Sequence, residues 1–256
     1  MNWSSSCGAS QKALRSAALY EPINCLKPVC GDVWIVDGPQ VRFGFGWPKL
    51  PFTTRMTILR LGSRLFVHSP TPLTDALREQ LATIGTVAWL VEPNRIHSTW
   101  ITSWQRSFPA ATVYLAPGIN SKVSGLVPHV ALTGTGPYPW DDCIRTLPIV
   151  SAYMTEFEFF HVPSGTLVLT DLLENFEPAR LHSRPMRWIT RVAGVAAPDG
   201  GMPIDMKLTF VTRRRHLRDA VTQMLNWNPE RIIISHGRWF ETNGADTLRS
   251  AFQWLM

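Results

Sequence analysis

Four residues of this chain could do chemistry from similar positions. His68, Asp171 and His236 each close an apolar run, and His97 stands in the polar loop after another, Val87-Ala-Trp-Leu-Val91. Short β-rich apolar runs read as buried strands. Strand ends that open into loops are where α/β folds gather ligand chemistry. Two or three His with a carboxylate are a usual ligand set for a catalytic zinc or iron, because neutral imidazole and carboxylate both offer lone pairs. A remaining open position can hold a water acidic enough to attack at neutral pH. A plainer reading stands beside this one. A His at a strand end often only makes a structural hydrogen bond, and Asp171, before Leu172-Leu-Glu-Asn175, could cap the next turn. His161, in the turn His161-Val-Pro-Ser-Gly165, and His216, among arginines, read as surface residues.

The elements that must carry these residues follow from periodicity. After Val91 the chain meets Glu92-Pro93-Asn94, where Pro93 ends the strand. Trp100, Ile101, Trp104 and Phe108 then recur at helical spacing. Gly31–Asp37 alternates as a strand, and Val41–Phe45 reads as its hairpin partner across Asp37-Gly-Pro39. Thr54–Arg60 and Arg64–His68 are two more strands. A helix from about Thr74 follows, with Leu77, Leu81 and Ile84 on one face. With Ala111–Leu115, residues 54–118 read β-β-α-β-α-β, a layered α/β pattern. Residues 119–146 read as mostly loop. Thr155–Phe160 alternates as a half-buried strand, and Thr166–Asp171 returns beside it. Residues 176–210 form an Arg- and Gly-rich connection with a helical piece around Met186–Val192, a composition that suits a flap over a site. An inward Arg184, Arg187 or Arg191 would pair with a carboxylate or phosphate on a ligand. A helix over about Arg213–Asn226, the strand Arg231–His236 and a helix over about Asp246–Trp254 complete the chain.

Composition narrows the class. The chain has 256 residues, 45% hydrophobic and 17% charged, which is globular and large enough for a substantial core. No apolar run approaches the ~18 residues of a membrane span, so no membrane partner is expected. Residues 1–20, rich in Ser and Ala and lacking a signal-like apolar core, read as a mobile arm ahead of one domain over 21–256. Four Cys without a CxxC pair suggest reduced thiols and a cytoplasmic protein. The net charge of +6 is dispersed apart from Arg213-Arg-Arg215, too little for a nucleic-acid face. Gly44 and Gly46 precede Trp47-Pro48 rather than a Lys-Ser/Thr helix start, which argues against a phosphate loop.

Leu65-Phe-Val-His-Ser-Pro-Thr-Pro-Leu73, Val91-Glu-Pro-Asn-Arg-Ile-His97, Gly165-Thr-Leu-Val-Leu-Thr-Asp-Leu-Leu173 and Ser235-His-Gly-Arg-Trp-Phe-Glu-Thr-Asn-Gly244 carry a resemblance. In this order they resemble the metallo-β-lactamase fold, and more narrowly the family of unknown function numbered 4336. The resemblance spans roughly residues 20–256. It implies a four-layer αββα sandwich with a site at one edge of the sheets. It also implies a His-x-His-x-Asp-His loop after the strand that ends at Val91, where this chain has Glu92-Pro-Asn-Arg-Ile-His97-Ser98. With His97 on the last His of the motif, Asn94 and Glu92 fall on the first two. Slid by one, His97 falls on the Asp. No His stands in the region of the fold's third motif, Pro148–Tyr153. Asp171 and His236 match the remaining ligand positions.

The resulting expectation is a degenerate site with at most one divalent metal, zinc or iron, held by His97, Asp171 and His236. His68, Asn94 and His97 would serve the reacting atoms, and the partner would be a small-molecule ligand. Two alternatives stay open: a non-catalytic binding or scaffold protein on the same fold, and a metal-free enzyme with His97 or His236 as general base.

Overall fold

The computed structural model describes residues 19–43, 50–119, 128–181 and 183–256. The β-rich runs pair into two main sheets. The larger takes β1 (Lys27–Cys30), β2 (Val33–Asp37), β5 (Arg55–Leu61), β6 (Arg64–His68), β7 (Thr86–Glu92), β8 (Thr112–Leu115) and β9 (Val130–Ala131), side by side in that order. The smaller takes β10 (Ile144–Val150), β11 (Thr155–His161), β12 (Thr166–Leu169) and β13 (Arg231–Ile234). A separate ribbon joins β3 (Val41–Phe43) to β4 (Leu50–Phe52). The expected pairing of Val41–Phe45 with Gly31–Asp37 is therefore corrected. Both edges of β2 are taken, by β1 on one side and β5 on the other.

The sheets pack face to face. Phe66 of β6 meets Phe159 of β11 edge-on, with ring centroids 5.2 Å apart. Trp140 and Phe157 share that inter-sheet core. Helices cover the outer faces, as the apolar stripes require. On the large sheet, α1 (Asp75–Ile84) buries Leu77 and Leu81, and α2 (Ile101–Ser107) buries Ile101 and Trp104. Thr74 caps α1 by accepting a hydrogen bond from the Leu77 N–H. On the small sheet, α5 (Arg214–Asn226) buries Leu217, Val221 and Met224, and α6 (Gly244–Ala251) buries Leu248. The connection between β12 and α5 carries two short helices, α3 (Arg184–Val192) and α4 (Ile204–Thr209). The four layers form the αββα sandwich that the sequence led us to expect.

Two local expectations change. Thr155–Phe160 is not half-exposed: from Glu156 onward β11 is buried on both faces, because it is an inner strand with α5 outside and the large sheet inside. His161 is buried rather than superficial, its Nδ1 2.7 Å from Ser164 Oγ. Residues 1–18 of the expected arm, and Gly44, Gly46 and Trp47-Pro48, lie outside the described residues. Leu19 and Tyr20 are tied down: the Leu19 carbonyl accepts from Arg180, whose guanidinium lies 4.4 Å from the Tyr20 ring centroid.

Candidate metal centre

Two parallel strands set the height of the site. β12 and β13 pair in parallel with Leu169 opposite Ile234. Asp171 and His236 each stand two residues beyond that pair, so they emerge side by side. The third member comes from the other sheet, five residues past the end of β7. Asn94 Oδ1 accepts from the Ile96 and His97 N–H groups and folds this loop back, swinging His97 over the small sheet.

The three side chains converge. His236 Nε2 is 3.0 Å from Asp171 Oδ1, His97 Nε2 is 3.4 Å from the same oxygen, and the two imidazole nitrogens are 3.2 Å apart. Zinc bonds of ~2.0–2.1 Å in tetrahedral geometry separate neighbouring ligand atoms by about 3.3–3.4 Å. The triangle thus has the size of one face of a metal's coordination shell, and these residues could hold one metal ion. Their far sides are anchored as metal-binding imidazoles usually are. His236 Nδ1 lies 2.6 Å from the Thr53 carbonyl, which can only accept, so Nδ1 carries the proton and Nε2 faces the site. His97 Nδ1 lies 2.8 Å from Ser69 Oγ.

Asp171 is aimed from behind. Its Oδ2 accepts from Asn94 Nδ2 at 2.7 Å, leaving Oδ1 to the two histidines. The same Asn94 amide donates to Glu156 Oε2, and Glu156 Oε1 accepts the backbone N–H groups of Asp171 and Leu172. Burial raises the Glu156 pKa, helped by the Asp171 charge, against the pull of these donors. Burial also opposes ionisation of Asp171, but the His97 charge and the His236 hydrogen bond outweigh it and hold the carboxyl well below its usual range. For His236, burial is outweighed by the hydrogen bond and charge of Asp171, and the pKa rises to about 9.

The expected site residues divide cleanly. His97, Asp171 and His236 meet at the floor of a cavity of about 280 Å³. Asn94 is fully buried behind them and positions Asp171 rather than facing the cavity. His68, expected beside the reacting atoms, lies between the sheets with its ring 5.5 Å from that of Phe159, and neither ring nitrogen has a partner. Burial, and then the His97 charge, hold its pKa at about 3, so it is neutral. Arg184, Arg187 and Arg191 are exposed on α3 and do not line the cavity. The wall from this connection comes instead from Pro203, Asp205, Met206 and Thr209. Standing in solvent, these arginines give no reason to expect an anionic ligand.

Glu156, Ser69, Thr53 and Glu174 were missed. The signal for Glu156 was available: two Glu in a β-run whose neighbours, Thr166–Thr170 and Arg231–Ser235, are too apolar for an exposed sheet face. Ser69 was hidden by its place outside the strand, in a left-handed conformation of φ 51°. Removing its hydroxyl should loosen the His97 ring without touching a ligand. Ser69→Ala is expected to weaken zinc affinity about tenfold, read by competition with a chromophoric chelator.

Comparison with known proteins places this geometry in context. The domain of unknown function DUF4336 matches residues 31–182. No curated protein matches. Among solved structures, the DIM-1 metallo-β-lactamase exposed to ceftazidime superposes with a TM-score of 0.59 at 12% identity, covering 90% of this chain and 97% of that one. The metallo-β-lactamase FIM-1 from Pseudomonas aeruginosa, in its mono-zinc form, gives 0.56 at 13%, covering 90% and 93%. A metallo-β-lactamase from Erythrobacter litoralis gives 0.55 at 14%, covering 90% and 89%. At such identity these likenesses establish the fold alone. With the family match over more than half its length, the chain belongs to the DUF4336 family, and it is built on the metallo-β-lactamase fold.

Proposed function

We propose that the chain is a mononuclear metal-dependent hydrolase of a small, uncharged substrate. The observation that carries this reading is the triangle of His97, Asp171 and His236, sized for one ion and opening into a cavity. One zinc or iron bound there would supply a Lewis acid and an acidified water. The residues of the chain hold and orient: Asp171 brings negative charge, the two imidazoles bring lone pairs, and Asn94, Glu156, Ser69 and the Thr53 carbonyl fix their directions. Phe52, Ile96, Trp100, Tyr153 and Met206 give the cavity an apolar wall. Glu174 also faces it, its pKa raised by burial to about 8 although His236 pulls the other way. Among the described residues the one Arg lining the cavity, Arg42, is exposed. A wall of this kind suits a neutral ester, lactone or amide with an apolar body better than an anion.

Zinc titration of chelator-stripped protein tests the reading. About one equivalent per chain is expected, together with recovered turnover of neutral esters or lactones, both lost in His236→Ala. Two equivalents would overturn the single-metal site. The missing ligands favour one competing reading, a binding protein that has lost its chemistry. Glu92, at a first motif position, is buried without a hydrogen-bond partner, held neutral by burial and turned away from the cavity. No metal uptake, with His97→Ala as stable as the parent, would decide for the binding protein.

A further inference from the structure

The connection that walls the cavity also carries a feature the site does not explain. Large apolar side chains stand in solvent along it: Trp188 is 65% exposed, Leu208 68% and Val211 71%, with Val192 and Ile204 also more than half exposed. Trp188 and Val192 are one helical turn apart on α3, and Ile204 and Leu208 are one turn apart on α4. The two helices adjoin, since Lys207 Nζ of α4 lies 4.0 Å from where a side chain on Gly194, just beyond α3, would begin. Soluble monomers rarely leave so many large apolar side chains together in water. The same stretch is strongly basic. Residues 184–215 contain seven Lys or Arg (184, 187, 191, 207, 213, 214, 215) against two Asp (199, 205). All six arginines are exposed.

We propose that α3, α4 and the turn through Val211 form a docking face for an anionic lipid surface. Charge decides the occupant. A second copy of this chain seated face to face would set Arg184, Arg187 and Arg191 against their own counterparts at short range. A sheet of lipid phosphates meets the same arginines with opposite charge while its acyl boundary takes up Trp188, Ile204 and Leu208. Basic residues beside an exposed Trp and aliphatic side chains are what an interfacial helix presents. This contact lies on a membrane and is distinct from crossing one: among the described residues no helix is long and apolar enough to span a bilayer.

Flotation of the full chain with vesicles tests the proposal. One set is phosphatidylcholine alone; the other contains phosphatidylglycerol at about one part in three. The chain should float with the anionic vesicles, and salt at ~0.5 M should release it as Debye screening shortens. Arg184→Glu/Arg187→Glu/Arg191→Glu should lower partitioning about 100-fold. Trp188→Asp/Leu208→Asp should abolish it while circular dichroism and zinc uptake stay unchanged, since these side chains are exposed. Flotation insensitive to both variants would overturn the assignment of the face. So would failure to float with either vesicle. A dimer by sedimentation that Trp188→Asp/Leu208→Asp makes monomeric would show instead that a second copy covers the patch.

Discussion

Asp171→Ala should reduce zinc affinity by more than 100-fold. Asp171 Oδ1 is within reach of both imidazoles, at 3.0 and 3.4 Å, and its partner Oδ2 is fixed by Asn94. Loss of an outer hydrogen-bond partner commonly costs ~10–100-fold in metal affinity, so removal of the carboxylate itself should exceed that range. Asn94→Ala should fall inside it, because Asn94 orients Asp171 without facing the cavity. The ordering matters more than either value. Chelator competition on both variants that found Asn94→Ala the more damaging, or Asp171→Ala within tenfold of the parent, would mean the ion sits elsewhere.

Glu156→Ala should destabilise the fold by about 3–5 kcal/mol, the usual cost of breaking a buried charged network. The Glu156 carboxylate accepts two backbone N–H groups and the Asn94 amide, at 2.9, 2.9 and 2.8 Å. Alanine would leave all three donors buried without an acceptor. Glu156→Gln keeps one oxygen and should recover about half of the loss. Glu158, two residues along β11 and opposite Leu147, behaves differently. Burial, and then the Glu156 charge, push its pKa far up, and in its neutral form it donates a hydrogen bond to Glu156 while accepting none. Glu158→Leu removes that one hydrogen bond and strands no backbone donor, so it should cost only about 1–2 kcal/mol, well below Glu156→Ala. Urea denaturation of the variants checks the contrast. Equal losses for Glu156→Ala and Glu158→Leu would remove Glu156 as the organiser of the Asp171 turn.

How much of this was legible in the sequence depends on the range of the interaction involved. Strands such as Arg64–His68 and Arg231–Ile234, and the helix capped by Thr74, are written in local periodicity and turn chemistry, and they formed within a few residues of expectation. His97, Asp171 and His236 could be grouped because each follows an apolar run, a signal of the same local kind. What local pattern cannot give is the face a side chain takes within a four-layer stack. Hence His68 looked equivalent to its partners until β6 turned its ring onto Phe159. The same limit made Glu156 look like an outward polar residue. The arginines of α3 misled in a related way. Their closeness in sequence to Asp171 kept the segment near the site, but Pro203, Met206 and Thr209, not the guanidinium groups, took the inward positions.

The ligand triangle joins the two sheets, with His97 contributed by the loop after β7 and Asp171 and His236 by the ends of β12 and β13. Arg55 of β5 ties the same corner, donating to the carbonyls of Ile234 and Gly237 while pairing with Asp37. Gly237 has φ 91°, and a side chain there would run into the Asn175 backbone, so this corner has little freedom to rearrange. An ion at the triangle would then act as a further rivet between the two sheets. Amide hydrogen exchange would register it in β7 and in β13 together, slowed by one common factor, rather than only in the loop that holds His97.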